Sequence, residues 1–160
     1  MIIISDTSAI INLAAIDQLE LLHTLFQEII IPPAVYNEIT AQSKDQPGSG
    51  LTQFPFIKVS KLPNTNFAEA LKLELDDGEA EAIALAVELK SDLLLIDEHK
   101  GREIAEKFDL KYIGVLGILI EAKQKKHIKM VKPHLDALKS KAGFWINSEL
   151  YKLVLKTAGE

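Results

Sequence analysis

The sequence predicts an α/β fold in which helices cover both faces of a central, mainly parallel β-sheet, giving a three-layer α/β/α sandwich. Short runs of β-branched residues or leucines, each bounded by polar residues, are typical of strands buried on both faces. Helical patterns separate these runs, and strands that alternate with helices favour parallel pairing. The chain has 160 residues, 48% of them hydrophobic, which is enough to bury the core that this fold needs.

The strands of the predicted sheet are short apolar segments. The first and the fourth end directly before an aspartate, Asp6 and Asp97 respectively. Two prolines close the second strand, and the weak alternation of the third favours a position at the edge of the sheet. In chain order, the predicted strands cover residues 2–5, 29–31, 56–60, 93–96 and 111–113.

The helices are predicted from apolar spacing, capping residues and composition. Asp17 and Glu20 resemble a capping box before a run of leucines. Pro33 suits the first position of a helix. Four alanines within seven residues after Glu79 give high helix propensity and a surface that can approach a sheet closely. The predicted helices cover residues 19–26, 34–42, 67–75, 79–86, 98–108, 115–125, 132–140 and 147–156.

Composition limits the class of protein. Residues 43–50 contain one proline and two glycines and are predicted to form a mobile surface loop. No boundary or repeat is evident, so we expect one domain over residues 1–160, with C-terminal helices 131–160 as an extension. Without cysteine there is no disulfide and no thiolate metal site. No apolar run reaches the ~18–20 residues of a membrane span, and no signal peptide is evident. We therefore expect a cytoplasmic protein with no membrane partner.

The net charge of −5 is unevenly distributed along the chain. Residues 121–141 contain seven lysines against only Glu121 and Asp136. The rest of the chain is correspondingly acidic, and acids gathered in a metal site would account for part of that excess, because a bound cation reverses the local field. The basic stretch would then contact phosphates outside the site, or it is simply a solvated, lysine-rich helix face.

Several acids are predicted to meet at one edge of the sheet. Asp6 and Asp97 directly follow strands, and parallel strands have their carboxyl ends at the same edge, where open α/β folds place their ligand sites. Glu38 lies just over one turn into its helix, and Glu79 lies in the first turn of the alanine-rich helix, so both can approach this edge. Asp92 precedes its strand and is expected at the opposite edge.

Four carboxylates at one edge repel one another unless a cation neutralises them. Mg²⁺ or Mn²⁺ would do so, because hard cations bind carboxylate and water oxygens. The pattern therefore favours metal-assisted hydrolysis of phosphodiester bonds. Each acid also has a structural interpretation: Asp6 and Asp97 as helix N-caps, Glu79 as the far end of a capping box with Asp76, and Glu38 as a solvated helix residue.

The chain resembles the PIN-domain ribonucleases, in particular the small prokaryotic members related to VapC-type toxins. The resemblance rests on four segments in matching order: Ile-Ser-Asp6-Thr7-Ser8, Pro-Pro-Ala-Val-Tyr-Asn-Glu38-Ile, Gly78-Glu79-Ala-Glu-Ala-Ile-Ala-Leu-Ala and Leu-Leu-Ile-Asp97-Glu98. It implies that the metal-site acids are Asp6, Glu38, Glu79 and Asp97. It also implies that Ser8 supplies a hydroxyl near Asp6. Glu79 stands where many relatives have aspartate, so the number of ions, one or two, stays open.

The resemblance implies an endoribonuclease that depends on Mg²⁺ or Mn²⁺ and hydrolyses single-stranded or structured RNA. It further implies the toxin of a toxin–antitoxin pair, restrained by an antitoxin protein, and a homodimer. Lys100 and Arg102, just past Asp97, are candidates for binding phosphate, with plain surface exposure as the alternative. Self-association is also favoured by apolar residues near the C-terminus, namely Phe144, Trp145, Leu150, Tyr151 and Leu153–Leu155.

Two other functions stay open on the residues alone. A haloacid-dehalogenase-type phosphatase would use Asp6 as its nucleophile, but that family needs a second aspartate two residues later, where this chain has Ser8. A non-catalytic module would bind nucleic acid or a partner through residues 121–141, and its binding would weaken steeply with salt. A divalent-metal titration against single-stranded RNA, with EDTA as the control, separates the nuclease from the binding module.

Overall fold

The computed structural model describes residues 1–41 and 54–160. Within these ranges it contains the strands β1 (Ile3–Ser5), β2 (Ile29–Ile31), β3 (Ile57–Val59), β4 (Leu93–Leu95) and β5 (Tyr112–Ile113). They form one sheet in the order β3-β2-β1-β4-β5, and every neighbouring pair is parallel. Each strand lies within its predicted segment, and β3 is at the predicted edge position. The predicted parallel sheet is confirmed.

Helices connect and follow these strands. In the described ranges they are α1 (Thr7–Ala15), α2 (Glu20–Phe26), α3 (Pro33–Thr40), α4 (Thr65–Leu71), α5 (Asp77–Glu88), α6 (His99–Lys107), α7 (Val115–Gln124), α8 (Lys132–Lys141) and α9 (Ser148–Thr157). Helix α1 was not among the predicted helices, although the N-cap interpretation of Asp6 is the one that it requires. The other eight helices were predicted, with ends displaced by a few residues. The predicted loop at residues 43–50 lies outside the described residues.

The predicted capping box at Asp17 is wrong. Asp17 has φ +57° and lies in the left-handed region, which aspartate tolerates better than most residues. Its amide and that of Gln18 donate hydrogen bonds to the carbonyls of Ala14 (3.1 Å) and Leu13 (2.9 Å). Asp17 therefore ends α1 in a C-terminal cap instead of starting α2. The N-cap of α2 is Leu19, which makes no side-chain capping bond.

The sheet separates two hydrophobic clusters, which confirms the three-layer α/β/α arrangement. Ile3 and Leu95 join the cluster formed with α1, α2, α3, α7, α8 and α9. Their strand neighbours Ile4 and Leu94 join the cluster formed with α4, α5 and α6. Because successive residues of a strand point to opposite faces, strands only a few residues long supply apolar side chains to both layers.

The C-terminal helices belong to the same core as the sheet. Leu138 of α8 and Val154 of α9 are buried in the cluster that contains Ile3. The side chain of Glu160 accepts hydrogen bonds from the amides of Val131 (2.7 Å) and Lys132 (3.1 Å), where α8 begins. Glu160 thereby satisfies amides that the helix itself leaves without partners.

No single helix in residues 1–41 and 54–160 is long and apolar enough to cross a membrane. Taken together, α1 and α2 have the length and the apolar composition of a membrane span, but the pair is bent by 119°. Both helices supply buried core residues, among them Ile10, Leu13 and Leu22.

The strand order places a crevice beside β1. The chain adds β2 and β3 on one side of β1, and β4 and β5 on the other. Ser5 pairs with Leu95 in register, and the Asp6 amide donates a 3.0 Å hydrogen bond to the Leu95 carbonyl. Such a reversal of strand order is where open parallel sheets bind ligands, outside the carboxyl ends of the strands. Asp92 is at the opposite edge, as predicted, and its Oδ2 accepts from the Ile2 amide at 2.6 Å.

Candidate functional site

Carboxylate oxygens without hydrogen-bond partners lie at the edge of the sheet where the strands have their carboxyl ends. Among the described residues, four buried side-chain polar atoms have no hydrogen-bond partner. One is the hydroxyl of Ser91, and the other three are Oδ2 of Asp6, Oε2 of Glu79 and Oδ2 of Asp97. A buried polar atom without a partner is costly and calls for an explanation. Asp6, Glu79 and Asp97 are called the acid cluster below.

Asp6 is at once a helix cap and a member of the acid cluster. It is only 1% exposed, and its Oδ1 accepts a 3.1 Å hydrogen bond from the Ala9 amide in the first turn of α1. Burial raises its pKa well above the usual value, and the negative charges of Asp97, Glu79 and Asp76 raise it further. One oxygen of Asp6 therefore holds the helix, while the other is free.

Asp97 caps a different helix from the one that the sequence suggested. The N-cap of α6 is Glu98, whereas Oδ1 of Asp97 accepts a 2.9 Å hydrogen bond from the Val115 amide at the start of α7. The same oxygen lies 3.7 Å from Nη2 of Arg102. Burial raises the pKa of Asp97, and the Val115 amide, the Arg102 charge and the Asn12 side chain oppose that shift.

Glu79 lies in the first turn of α5, next to the N-cap residue Asp76. Oδ1 of Asp76 accepts a 2.8 Å hydrogen bond from the Glu79 amide, so the capping role of Asp76 is real. Burial, hydrogen bonding to Asp76 and the charges of Asp76 and Glu98 raise the pKa of Glu79 to about 8. A Cβ atom on Gly101 would lie 3.1 Å from Oε2 of Glu79, so the glycine leaves room for this carboxylate.

Glu38 differs from the acid cluster because both of its oxygens have partners. The Thr7 hydroxyl donates to Oε2, and the Gly78 amide donates to Oε1 at 3.0 Å. A Cβ atom on Gly78 would lie 2.5 Å from Oε2 of Glu38, so this close approach requires glycine. Glu38 of α3 thus binds Thr7, the neighbour of Asp6 at the start of α1, and Gly78, the neighbour of Glu79 at the start of α5.

The donor set of the acid cluster fits a hard divalent cation. Carboxylate oxygens are the ligands that Mg²⁺ and Mn²⁺ prefer, and a cation would offset the burial and the neighbouring negative charges that raise the pKa of Asp6. In the described part of the chain, no three His, Cys, Asp or Glu side chains already form a metal-binding group. The structure therefore brings suitable donors to one edge without arranging them as a complete set of ligands.

The other predicted site residues have distinct environments. Ser8 is half-buried at the start of α1, and the hydroxyl that contacts an acid is that of its neighbour Thr7. Lys100 is exposed in the first turn of α6. Arg102 donates from Nε to the Ile96 carbonyl at 3.1 Å and lies over the Tyr112 ring, 5.7 Å from its centroid. Its side chain is 36% exposed.

Sequence reasoning missed four residues that hold the acids in place. Asn12 lines the same cavity as Asp97 and lowers its pKa, and its position four residues after Ser8, on the same face of a helix, was an available signal. A Cβ atom on Gly114 would lie 2.5 Å from Oδ1 of Asp97. No local pattern indicated this contact. The other two missed residues are Thr7 and Gly78.

A cavity of about 480 Å³ opens beside Asp97. Residues 142–145, in the connection between α8 and α9, form one of its walls and are called the wall segment below. The start of α1 and the end of β4 supply the rest of the lining. The lining residues are Thr7, Ser8, Ile11, Asn12, Asp97, Glu98, Ala142, Gly143, Phe144 and Trp145.

The basic stretch 121–141 is partly neutralised within the fold. Lysines of this stretch form ion pairs with nearby acids, at nitrogen–oxygen distances of 2.8–3.0 Å. The pairs are Lys123–Glu160, Lys125–Glu121 and Lys132–Asp136. This favours the interpretation as an ion-paired helix surface over that of a continuous cationic binding face.

Comparison with known families adds one finding. The family model DUF3368, described as a PIN domain, matches residues 2–160 of the chain. No match was found among curated proteins. The matched range contains the acid cluster, Glu38 and the cavity. It also contains α8 and α9, so the match extends well beyond the four segments, ending at Glu98, on which the resemblance rests.

Proposed function

The chain belongs to the PIN-domain family, and on this premise we propose that it is a divalent-metal-dependent endoribonuclease whose acid cluster binds the cation. PIN domains are generally nucleases, and PIN nucleases typically use divalent metals. The observation that carries the proposal is the set of three buried carboxylates, each with an oxygen that lacks a partner within residues 1–41 and 54–160. The proposed substrate is single-stranded or structured RNA, and the proposed cation is Mg²⁺ or Mn²⁺.

The two aspartates are suited to the proposed role because each is fixed through one oxygen. Oδ1 of Asp6 is held by the Ala9 amide, and Oδ1 of Asp97 is held by the Val115 amide. Their Oδ2 atoms are the proposed ligand atoms, together with Oε2 of Glu79. A bound divalent cation would supply an activated water and charge neutralisation at the phosphate. Fixed side chains of this kind lower the cost of organising a site.

Glu38 is proposed to complete the site. An ionised carboxylate offers about four acceptor positions, and the Thr7 hydroxyl and the Gly78 amide use two of them. The others are available to a water bound in the site. The hydroxyl of Ser8, which lines the cavity, is proposed as a further contact near Asp6.

Lys100 and Arg102 are proposed to contact the phosphate backbone beside Asp97. Lys100 is exposed. Arg102 is partly exposed and also holds Asp97, so its loss would affect the acid cluster as well as the substrate. We therefore expect Lys100→Ala to weaken RNA binding alone, and Arg102→Ala to weaken both RNA binding and cleavage.

The experiment that tests the proposed function is a cleavage assay on labelled single-stranded RNA with Mg²⁺, Mn²⁺ or EDTA. Cleavage with either metal and its loss in EDTA is the expected result. Asp6→Asn should abolish the activity while it keeps an acceptor for the Ala9 amide. Equal cleavage in EDTA and in metal, or full activity of the Asp6→Asn variant, would contradict the proposal.

We also propose that the protein acts in the cytoplasm as a homodimeric toxin restrained by an antitoxin. Of the apolar residues expected to support self-association, Phe144, Tyr151 and Leu155 pack against the core instead. Leu150 and Leu153 of α9 are 37% and 59% exposed and lie three residues apart on one helix face. Light scattering that gives a monomer mass at micromolar concentration would contradict the dimer. Normal cell growth during overexpression without a partner would contradict the toxin role.

A further inference from the structure

Trp145 is an exposed aromatic residue beside the acid cluster. It is the only tryptophan of the chain, and its side chain is 81% exposed. It lines the same cavity as Asp97, as the last residue of the wall segment. Its neighbour Phe144 packs against the core, and the following Ile146 is buried. The residues on both sides of Trp145 are thus anchored, while the indole faces solvent.

The lining of this cavity does not suit the phosphates of a nucleic acid. It contains Asp97 and Glu98 but neither lysine nor arginine. Within the cavity, a polyanionic strand would therefore gain nothing from direct ion pairing. Stacking of a base on an aromatic ring does not depend on charge, contributes about 1–3 kcal/mol per base and tolerates any base.

We propose that Trp145 is a stacking platform for an unpaired nucleobase of the substrate and so places the adjoining phosphate next to the cation proposed at the acid cluster. The inference rests on the proposed function, because it assigns a substrate contact to the same site. The cavity volume of about 480 Å³ lies within the range of small-molecule sites. A base in a duplex is already stacked and paired, so this contact favours an unpaired strand over a duplex. Trp145 is a positioning residue in this scheme.

The fluorescence of the protein tests the contact directly, because all tryptophan emission comes from Trp145. The parent protein is mixed with a short oligoadenylate in Mg²⁺, in a rapid-mixing instrument that records binding before cleavage. The matched ligand is an abasic phosphodiester strand of the same length. Stacking predicts quenching by the oligoadenylate and much weaker quenching by the abasic strand. No quenching by the oligoadenylate, or equal quenching by both strands, would overturn the inference.

Variants measure the contribution of the ring to affinity. Trp145→Ala is expected to weaken binding of labelled oligoadenylate by about 5- to 150-fold, the range that corresponds to the loss of one stacked base. Trp145→Phe should retain most of the affinity, because it keeps an aromatic face. Leu73→Ala is the control, since Leu73 is 87% exposed and is not among the cavity-lining residues. It should bind like the parent.

The outcomes separate this inference from the proposed function. The parent could show quenching, and Trp145→Ala a loss of affinity, while the parent cleaves no RNA with either metal. That result would support the stacking contact and contradict the nuclease. Cleavage by the parent with unchanged affinity in Trp145→Ala would overturn the stacking contact alone. If Trp145→Ala changes the oligomeric state in solution but leaves the RNA affinity unchanged, Trp145 is a protein-interface residue. This result would also overturn the inference.

Discussion

Asp6 and Asp97 leave adjacent parallel strands at one edge of the sheet and share the same arrangement. The Asp6 amide donates to the carbonyl of Leu95, two residues before Asp97, at 3.0 Å. Each aspartate gives one oxygen to an amide in the first turn of a helix, and each has a second, buried oxygen without a partner among the described residues. The strand order explains this pairing, because β1 and β4 are neighbours where the chain reverses the direction in which it extends the sheet.

Without metal, the protein should become less stable as the pH rises. The pKa of Glu79 is raised from 4.5 to about 8, so the folded state holds a proton that the unfolded state releases above pH 4.5. Stability falls with pH wherever the folded state binds more protons, which here covers the window from about 4.5 to 8. The raised pKa of Asp6 acts in the same direction. Urea unfolding in EDTA at several pH values across this window measures the slope.

The matched variant for this experiment is Glu79→Gln. Glutamine does not titrate, so the decline of stability with pH should be shallower than in the parent. A parent protein whose stability is constant or rises across the window would contradict the assigned protonation. So would an unchanged slope in Glu79→Gln.

Gly78→Ala should destabilise the protein although Gly78 is in a helix. Alanine normally stabilises a helix by up to about 1 kcal/mol relative to glycine. Here the added Cβ would lie 2.5 Å from Oε2 of Glu38 and 2.9 Å from the hydroxyl of Thr7. We expect a net loss of about 1–3 kcal/mol, as for other overpacked sites, together with reduced cleavage. Urea unfolding measures the first effect.

A double-mutant cycle identifies the contact responsible. In a Glu38→Ala background, the added methyl group of Gly78→Ala should cost less, because its nearest neighbour is gone. If Gly78→Ala costs the same with and without the Glu38 side chain, the close approach between these residues does not account for the loss.

Glu160→Ala should loosen the start of α8. The Glu160 side chain accepts hydrogen bonds from the amides of Val131 and Lys132 and pairs with Lys123 at 2.9 Å. Loss of a helix cap typically costs about 0.5–2 kcal/mol, and we expect a decrease of this size in the free energy of unfolding. Glu160→Gln should cost less, because the amide oxygen still accepts. Glu74→Ala, which removes an exposed acid, is the control, and an equal loss in both alanine variants would refute the capping role.

The sequence was sufficient to predict those parts of the site that depend on local patterns. Short apolar runs predicted the strands, and the rule that parallel strands share their carboxyl edge placed Asp6 and Asp97 together. The alanine-rich run that follows Glu79 placed this residue in the first turn of its helix, as it is in α5. For these three acids, the position of the residue at the end of a strand or in the first turn of a helix is enough to predict where its side chain lies.

The remaining contacts depend on packing between distant segments. The amide that binds Asp97 belongs to Val115, because α7 packs beside the end of β4, and no spacing within the sequence reports that contact. The hydrogen bond between Thr7 and Glu38 likewise depends on the packing of α1 against α3. In the sequence, Trp145 is one of several apolar residues near the C-terminus, and nothing in the local pattern distinguishes it from the others. Its place in the wall of the cavity appears only once α8 and α9 are packed on the sheet.

The matched pair Asp97→Asn and Asp92→Asn separates the two edges of the sheet. Asparagine keeps an acceptor for the Val115 amide, so Asp97→Asn should stay folded. In EDTA it should be as stable as the parent or more so, because one repelling carboxylate is removed. Asp92 accepts from the Ile2 amide at the opposite edge, and Asp92→Asn should behave like the parent. Mg²⁺ or Mn²⁺ should raise the melting temperature of the parent and of Asp92→Asn more than that of Asp97→Asn.

The most direct test is the rate of single-stranded RNA cleavage in Mg²⁺ and in Mn²⁺ by the parent, Asp97→Asn and Asp92→Asn. The acid cluster predicts cleavage by the parent and by Asp92→Asn, its loss in EDTA, and a decrease by orders of magnitude in Asp97→Asn. Equal cleavage by Asp97→Asn and the parent would contradict a metal-binding role for the acid cluster.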